Sequence, residues 1–378
     1  VPDANAAGSP RRKAKDTLRS LLLLSVAPTL VLLGTAELIV RSWGLDRPSV
    51  VAGGSGLGPG RLLRPDPDLG WTLVPGAATT FGQSIRLNSL GLRSPEVGPK
   101  QPNEFRVLSL GESTTFGIGV EAAETYSAQL QGLLAARVAP RPVTVVNAGI
   151  SAYSSYQSLR YLELRGLALE PDLVLFYHEA NDYMPSAVHD TELNEVGVLL
   201  TDQQLYGSPS RRLANFLERH WGLYRFVAYS YAKHTIRGLE GAALKNPILD
   251  IGLPDFDAGG RLDVADEGLA AQGKVRAMPL GRRVSDPERR QNLEKLRALC
   301  AARGIRLIVI HPSYRDSRRH ECLLTRFCAE RGVAMVEAHD ALHPEGMLSY
   351  ELFRDRWHPT ALGHRRLAEA LAAAIDPR

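Results

Sequence analysis

Short apolar runs that stop at glycine or polar residues recur along this chain, and stretches with helical spacing lie between them. Phe105 to Leu110 reads FRVLSL and ends at Gly111, as a buried strand does. Residues 122–137 have helical spacing, Val143 to Val146 is a second strand, and 154–168 a second helix. Leu173 to Tyr177 (LVLFY) is a third strand. Farther on, 286–303 predicts a helix, Ile305 to Ile310 (IRLIVI) a strand, 317–331 a helix, Val333 to Val336 a strand and 360–375 a closing helix. Strand–helix alternation predicts an α/β fold, a parallel sheet covered by helices on both faces. Sites in such sheets form beyond the carboxyl ends of the strands, so the residues after each strand matter most.

The alternation breaks between 183 and 285. Residues 210–238 read as an amphipathic helical pair, with Phe216, Leu217, Trp221, Leu223, Tyr224 and Phe226 on the apolar side. Residues 240–284 read as loop, rich in Gly and Asp. Such an insertion beside a strand end builds either a cap or partner surface, or a peripheral decoration. Ahead of the alternation, residues 61–104 hold many turn formers (GWTLVPG, NSLGLRSPE) and predict a lead-in of loops with at most a short hairpin. Residues 44–60 (GLDRPSVVAGGSGLGPG) read as a linker.

Leu21 to Val40 is a 20-residue apolar stretch whose one charge, Glu37, lies near its far end. At ~1.5 Å per residue it covers a hydrocarbon core of ~30 Å. The basic cluster Arg11, Arg12, Lys13, Lys15 and Arg19 precedes it, which keeps residues 1–20 cytoplasmic and puts the body outside. Arg41 and Trp43 suit the far interface, and Pro28 is tolerated in a membrane helix. A cleaved signal peptide competes, with Gly34 and Ala36 as small residues after the Leu21–Leu33 run. A buried core helix fits less well, because no polar face is present. The preferred reading is a single-pass signal anchor over 21–40; anchor and cleaved signal both export the body.

Composition narrows the picture further. With 44% hydrophobic and 23% charged residues in 378, the chain is neither disordered throughout nor a polytopic membrane protein. Its net charge is +4, but the first twenty residues hold five basic and two acidic side chains and supply most of it. The remaining body is nearly neutral, which argues against a nucleic-acid partner. Three cysteines are too few for a disulfide-built fold, and Cys300, Cys322 and Cys328 lack zinc-site spacing. Cys322 and Cys328 are close enough for a bridge in an exported protein, but buried free thiols are the preferred reading.

The chemistry lies in the residues just past the strands. After FRVLSL comes Gly111-Glu112-Ser113, which can expose a hydroxyl on a tight turn. After the second strand comes Asn147-Ala148-Gly149, where a glycine lets a backbone N–H approach a substrate oxygen. After the third comes His178-Glu179-Ala180-Asn181-Asp182, whose Asn181 amide can donate to the same oxygen. Near the end Asp355-Arg356-Trp357-His358 precedes the last helix, and a carboxylate three residues before a histidine can orient its ring. Singly, each is more often a turn or a cap. Jointly they converge on one edge of one sheet.

On these residues the sequence resembles the SGNH hydrolases, the GDSL esterase/lipase superfamily, over about 105–375. Ser113 in LGESTTFGIGV matches the family's nucleophile, Gly149 in VVNAGISAYSS its glycine, Asn181 in HEAND its asparagine, and Asp355 and His358 in DRWHPTALG its acid and base. The resemblance implies a flavodoxin-like three-layer α/β/α sandwich at 105–378, following the lead-in at 41–104. It also implies ester chemistry without metal or cofactor, with Ser113, Gly149 and Asn181 supplying the oxyanion donors. Two positions depart from the usual pattern: Glu112 stands where an Asp precedes the serine, and Glu179 where a glycine precedes the asparagine by two. The lead-in and anchor look like those of membrane-anchored bacterial members.

The expected function is extracytoplasmic hydrolysis of O-acyl or O-acetyl esters, on a small molecule or a glycan. An alternative is acyl or acetyl transfer to a cell-surface polysaccharide beside a membrane acyltransferase partner; another is a non-catalytic scaffold. His311 reads as a structural histidine. His178, Glu179 and Asp182 lie close together, but with no second cluster a metal is not expected. Arg282, Arg283, Arg289 and Arg290 read as a solvated face or a lipid-headgroup contact.

Overall fold

The computed structural model describes residues 10–45, 62–66, 68–80, 83–183, 201–207 and 283–377, with residues 213, 216, 217, 220–227 and 230. Most of the expected linker and of the insertion, including Arg282, falls outside these. The chain divides into two compact units, residues 1–51 with 213–243, and residues 52–212 with 244–378.

In the first unit, α1 (Pro10–Ser42) carries the apolar stretch. Leu24–Ser42, 19 residues, is long and apolar enough to cross a membrane. Its side chains are exposed around the helix, Leu24, Leu30, Val31, Leu32 and Leu38 among them. Thr29 and Thr35 donate their hydroxyls to the carbonyls of Ser25 (2.7 Å) and Val31 (2.8 Å), so the helix satisfies its own polar groups. Glu37 pairs with Arg41 and accepts the N–H groups of Gly222 (2.8 Å) and Leu223 (2.6 Å). The lone charge therefore caps the first turn of the helical residues 222–227, part of the predicted helical pair.

In the second unit, the lead-in is more regular than its turn formers suggest. It folds into two antiparallel hairpins, β1 (Leu63–Asp66) with β2 (Gly70–Leu73) and β3 (Gly76–Thr80) with β4 (Gln83–Leu87). Strand alternation is visible in β4, where Ile85 and Leu87 point inward and Ser84 and Arg86 outward. The Asp66 carboxylate accepts the N–H groups of Asp68 and Leu69, and the Asn88 carbonyl oxygen of the side chain those of Leu90 and Leu92, which fixes both turns.

The sheet consists of β5 (Phe105–Gly111), β6 (Val143–Gly149), β7 (Leu173–Tyr177), β8 (Arg306–His311) and β9 (Ala334–Glu337), in the order β6-β5-β7-β8-β9 and parallel throughout. That is the flavodoxin-like order that the resemblance implies. Side-chain alternation splits the core in two. Leu108, Leu110, Val146, Val174 and Phe176 face α4 (Ser155–Leu164), α7 (Asp286–Ala301) and α8 (Leu323–Arg331) through Leu159, Leu293, Leu296 and Phe327. Val107, Val145, Leu175 and Ile308 face α3 (Tyr126–Val138), α9 (Ala338–Leu342) and α11 (Ala361–Ala374) through Leu130, Leu342 and Leu367. Three layers result. Short helices α2 (Ser113–Phe116), α5 (Ala180–Tyr183), α6 (Asp202–Gly207) and α10 (Ser349–Leu352) sit among the connections.

Helix starts follow their caps rather than the apolar spacing. The helix predicted from 122 begins at Tyr126, because Thr125 accepts the Ala128 N–H after a 3-10 turn at Ala122–Glu124. The helix predicted over 317–331 is only Leu323–Arg331, capped by Cys322.

Register aligns the strand ends that carry the chemistry. Gly111 pairs with both Gly149 and Tyr177, and Tyr177 with Ile310. The segments leaving β5, β6 and β7 therefore start side by side.

Candidate active site

Ser113 opens α2 two residues beyond β5. The turn needs Gly111, since a Cβ there would meet Thr115 Oγ1 at 1.9 Å and the Tyr177 carbonyl at 3.1 Å. As the first residue of the helix, Ser113 has an N–H with no intrahelical acceptor. The far end of α2 is held by Arg93 from the lead-in, a buried guanidinium donating to the carbonyls of Phe116 (3.1 Å), Val120 (2.6 Å) and Gly117. Sequence reading missed Arg93, in NSLGLRSPE, because nothing in that segment marks a partner.

The histidine comes from the loop between α10 and α11. A bridge between Phe353 and Pro359 and the Arg354 N–H bonded to the His358 carbonyl (3.0 Å) close this loop into a narrow arch. Asp355 braces it from inside, its Oδ1 accepting the N–H groups of Trp357 and His358, both at 2.8 Å. The same carboxylate lies 2.9 Å from His358 Nδ1, and His358 Nε2 lies 3.0 Å from Ser113 Oγ. Burial pushes the Asp355 carboxyl up, but the His358 hydrogen bond, the His358 charge and the two backbone donors bring it down to about 2. It stays ionised throughout the range in which a histidine titrates.

Gly149 sits against the first turns of α2. A Cβ there would lie 2.2 Å from the Phe116 nitrogen, so only glycine fits. Its N–H, expected to approach a substrate oxygen, donates to Asn147 Oδ1 at 3.0 Å, while the Asn147 amide donates to the Thr115 carbonyl at 2.6 Å. The side chain of Asn147 reaches its own chain two residues on, as asparagine side chains commonly do. Asn181 in α5 spends one amide hydrogen on the Tyr153 carbonyl at 3.0 Å, leaving the second.

The turn carrying Asn181 is locked from beneath. Arg289 of α7 is 1% exposed and donates to the His178 carbonyl at 3.0 Å and to the Tyr183 hydroxyl, with Asp182 3.2 Å away. Arg283 is likewise buried, paired with Asp202 at 2.8 Å and donating to Gln157 Oε1 at 2.7 Å. Among the described residues the solvated-face reading thus holds only for the half-exposed Arg290, which pairs with Glu330. Helical spacing alone could not reveal the acidic partners, which lie far away along the chain. Tyr314, just beyond β8, accepts the Ala180 N–H at 3.1 Å and packs its ring edgewise on Trp357, joining the asparagine turn to the histidine arch.

The three acidic-turn residues weighed together for metal go separate ways. His178 Nε2 meets Ser158 Oγ at 2.7 Å, and burial together with Arg289 and Arg283 takes its pKa down to about 3. Asp182 accepts the Ser155 N–H at 2.7 Å. The Glu179 carboxylate lies against His311 and His320. The three cysteines are free and buried.

Glu112 is buried beside these acids, and burial with the Asp182 charge raises its carboxyl to about 8, although the Asn181 N–H and Arg283 pull the other way. The folded chain then keeps a proton that the unfolded chain releases above about pH 4.5, so stability falls as pH rises from about 4.5 to 8. Glu112→Gln should melt increasingly above the wild type across that window when thermal unfolding is followed at several pH values. A difference independent of pH would refute the protonated state.

A doubly wound parallel sheet with a serine, a histidine and an aspartate in hydrogen-bonded series beyond its strand ends is the framework of an α/β-type hydrolase. The sequence matches the GDSL-like lipase/acylhydrolase family over residues 109–366, and the chain belongs to that family. It is accordingly an esterase-type hydrolase. Among solved structures it is similar to LAE5, an alpha/beta hydrolase enzyme from the metagenome of Lake Arreo, Spain, at 17% identity and a TM-score of 0.40, covering 71% of this chain and 94% of that one. It is also similar to Axe2, an acetylxylan esterase from Geobacillus stearothermophilus, at 16% identity and a TM-score of 0.39, covering 74% of this chain and 96% of that one. No curated protein sequence matches the chain.

Proposed function

We propose that the chain is a membrane-anchored, extracytoplasmic serine esterase that hydrolyses O-acyl or O-acetyl esters on hydroxyls of a small molecule or glycan. The observation that carries the reading is the continuous series from Asp355 through His358 to Ser113, at 2.9 and 3.0 Å. His358 donates its Nδ1–H to Asp355, leaving Nε2 to accept the Ser113 hydroxyl proton as Oγ attacks the ester carbonyl. The protonated imidazole then gives that proton to the leaving alcohol. Water, deprotonated by the same nitrogen, releases the acid from the acyl-enzyme.

Charge develops on the carbonyl oxygen, and three donors would meet it: the Ser113 N–H, the remaining Asn181 amide hydrogen, and the Gly149 N–H shared with Asn147 Oδ1. Asn181→Ala should lower kcat by about 10²–10³-fold with little change in KM, because the contact forms mainly in the transition state. Steady-state kinetics on a chromogenic acetyl ester test this; a rise in KM at constant kcat would remove Asn181 from the oxyanion site.

The anchor rests on the length and exposed apolar surface of Leu24–Ser42 and on the basic residues before it. Full-length protein in detergent should hydrolyse esters from a panel of short and long acyl chains, with and without an unacylated oligosaccharide. Acetyl appearing on the oligosaccharide in preference to water would make it a transferase. Turnover of no ester would leave the scaffold reading.

A further inference from the structure

We propose that Glu179, His311, His320 and Cys322 form a binding site for one divalent transition-metal ion of the zinc class. The four side chains come from three separate segments: the turn after β7, the last residue of β8, and the approach to α8 with its cap. Their donor atoms all lie within 4.8 Å of one another. His311 Nε2 is 3.6 Å from Cys322 Sγ and 3.9 Å from Glu179 Oε1, and His320 Nε2 is 3.8 Å from that same oxygen. Zinc bonds of ~2.0–2.1 Å to nitrogen and oxygen and ~2.3 Å to sulfur give tetrahedral edges of roughly 3.3–3.6 Å. The three edges of 3.6–3.9 Å need a contraction of a few tenths of an ångström, and the widest, within 4.8 Å, one of about an ångström, for the set to close on an ion.

The surroundings are those of a ligand set. Both imidazoles are held by their Nδ1 atoms, His311 against Glu337 Oε2 at 2.7 Å and His320 against the Arg318 carbonyl at 3.0 Å. With Nδ1 donating, each Nε2 turns a lone pair inward, the arrangement that outer-sphere carboxylates and carbonyls impose on metal-bound histidines. The Thr325 N–H points at Cys322 Sγ. Glu179 Oε2 is buried and, among the described residues, accepts no hydrogen bond, which is costly for a carboxylate oxygen unless something else binds it. Glu179, His311 and Cys322 are all over nine-tenths buried, whereas His320 is a third exposed and leaves an entry path.

Charge and donor type select the ion. One carboxylate and one thiolate neutralise a divalent cation, so the four ligands and the ion together carry no net charge. Two imidazoles, a thiolate and a carboxylate suit zinc, while magnesium and calcium want oxygen alone. With four protein donors the site is closed, as structural sites are. It would tie the turn that carries Asn181 to the segment leaving β8. Cysteine spacing alone hid it, because a single cysteine contributes.

Full-length protein in detergent, stripped with a chelator and titrated with Co²⁺, should bind one equivalent and develop intense visible bands of tetrahedral cobalt with a thiolate-to-cobalt charge-transfer band. Zn²⁺ should displace the cobalt. Cys322→Ser should abolish the charge-transfer band, while Cys300→Ser and Cys328→Ser keep it. Glu337→Gln, which disturbs the support of His311 and keeps an amide oxygen that can still accept the His339 N–H, should weaken Zn²⁺ binding by about 10–100-fold. His320→Ala, at the exposed edge, should weaken it without loss of fold by circular dichroism. Absence of stoichiometric cobalt binding, or a charge-transfer band that survives Cys322→Ser, would overturn the site. So would alkylation of Cys322 by iodoacetamide at a rate that Zn²⁺ does not change, the mark of a thiolate paired only with His311. Ester hydrolysis enters none of these readouts, so they stand apart from the esterase reading.

Discussion

Ser113→Ala should lower kcat/KM for acetyl esters by roughly 10⁴–10⁶-fold while leaving the melting temperature nearly unchanged. The hydroxyl is the only atom removed, and its one side-chain hydrogen bond among the described residues is to His358 Nε2 at 3.0 Å. His358→Ala should cost a comparable factor, since without a base the hydroxyl is a weak nucleophile. The double variant should be no worse than either single one, because the two act as a unit. Independent, multiplying losses would mean that serine and histidine do not share a proton. Steady-state kinetics on the three variants decide the matter. Asp355→Asn offers a finer check: an amide can present a donor to Nδ1 and favour the wrong tautomer, so activity should fall steeply even though the arch stays bridged.

The second large effect is on stability. Arg289→Ala should destabilise the fold by about 3–5 kcal/mol, the usual result of removing one partner of a fully buried ion pair. Arg289 and Asp182 have side chains 1% and 0% exposed. Loss of the guanidinium would leave the carboxylate without its closest cation and the His178 carbonyl without a donor. Arg289→Ala combined with Asp182→Asn should recover part of the loss, since the stranded charge is gone. Denaturant unfolding of the three variants measures this; a double variant less stable than Arg289→Ala alone would show that the charge pairing is not what matters. Activity should fall with Arg289→Ala as well, because the clamp holds the turn that presents Asn181.

These two sites differ in how visible they are in the amino-acid sequence. Parallel strands buried on both faces leave continuous apolar runs, so FRVLSL, LVLFY and IRLIVI mark the sheet without any knowledge of its partners. Strand ends then point to the chemistry, because Ser113, Gly149 and Asn181 each lie within a few residues of one. Asp355 and His358 are neighbours, so their contact is local. The invisible features are long-range pairings of charge. Nothing near Arg289 or Arg283 announces Asp182 or Asp202, and a charged side chain on a helix normally faces water. Glu179 precedes Asn181 by only two residues, yet its carboxylate meets His311 and His320, which arrive from the end of β8 and beyond. The lead-in hairpins were hidden for another reason: their strands of four and five residues are crowded by turn formers, and the Arg93 contact with α2 exists only once both are folded.

Active-site trapping asks the question with least room for other answers. Full-length protein treated with a fluorophosphonate and digested should yield one adduct, on Ser113 in the peptide around GESTTFGIG, absent from Ser113→Ala and much slower in His358→Ala. An adduct on another residue, or equal labelling of wild type and Ser113→Ala, would mean that a different group does the chemistry.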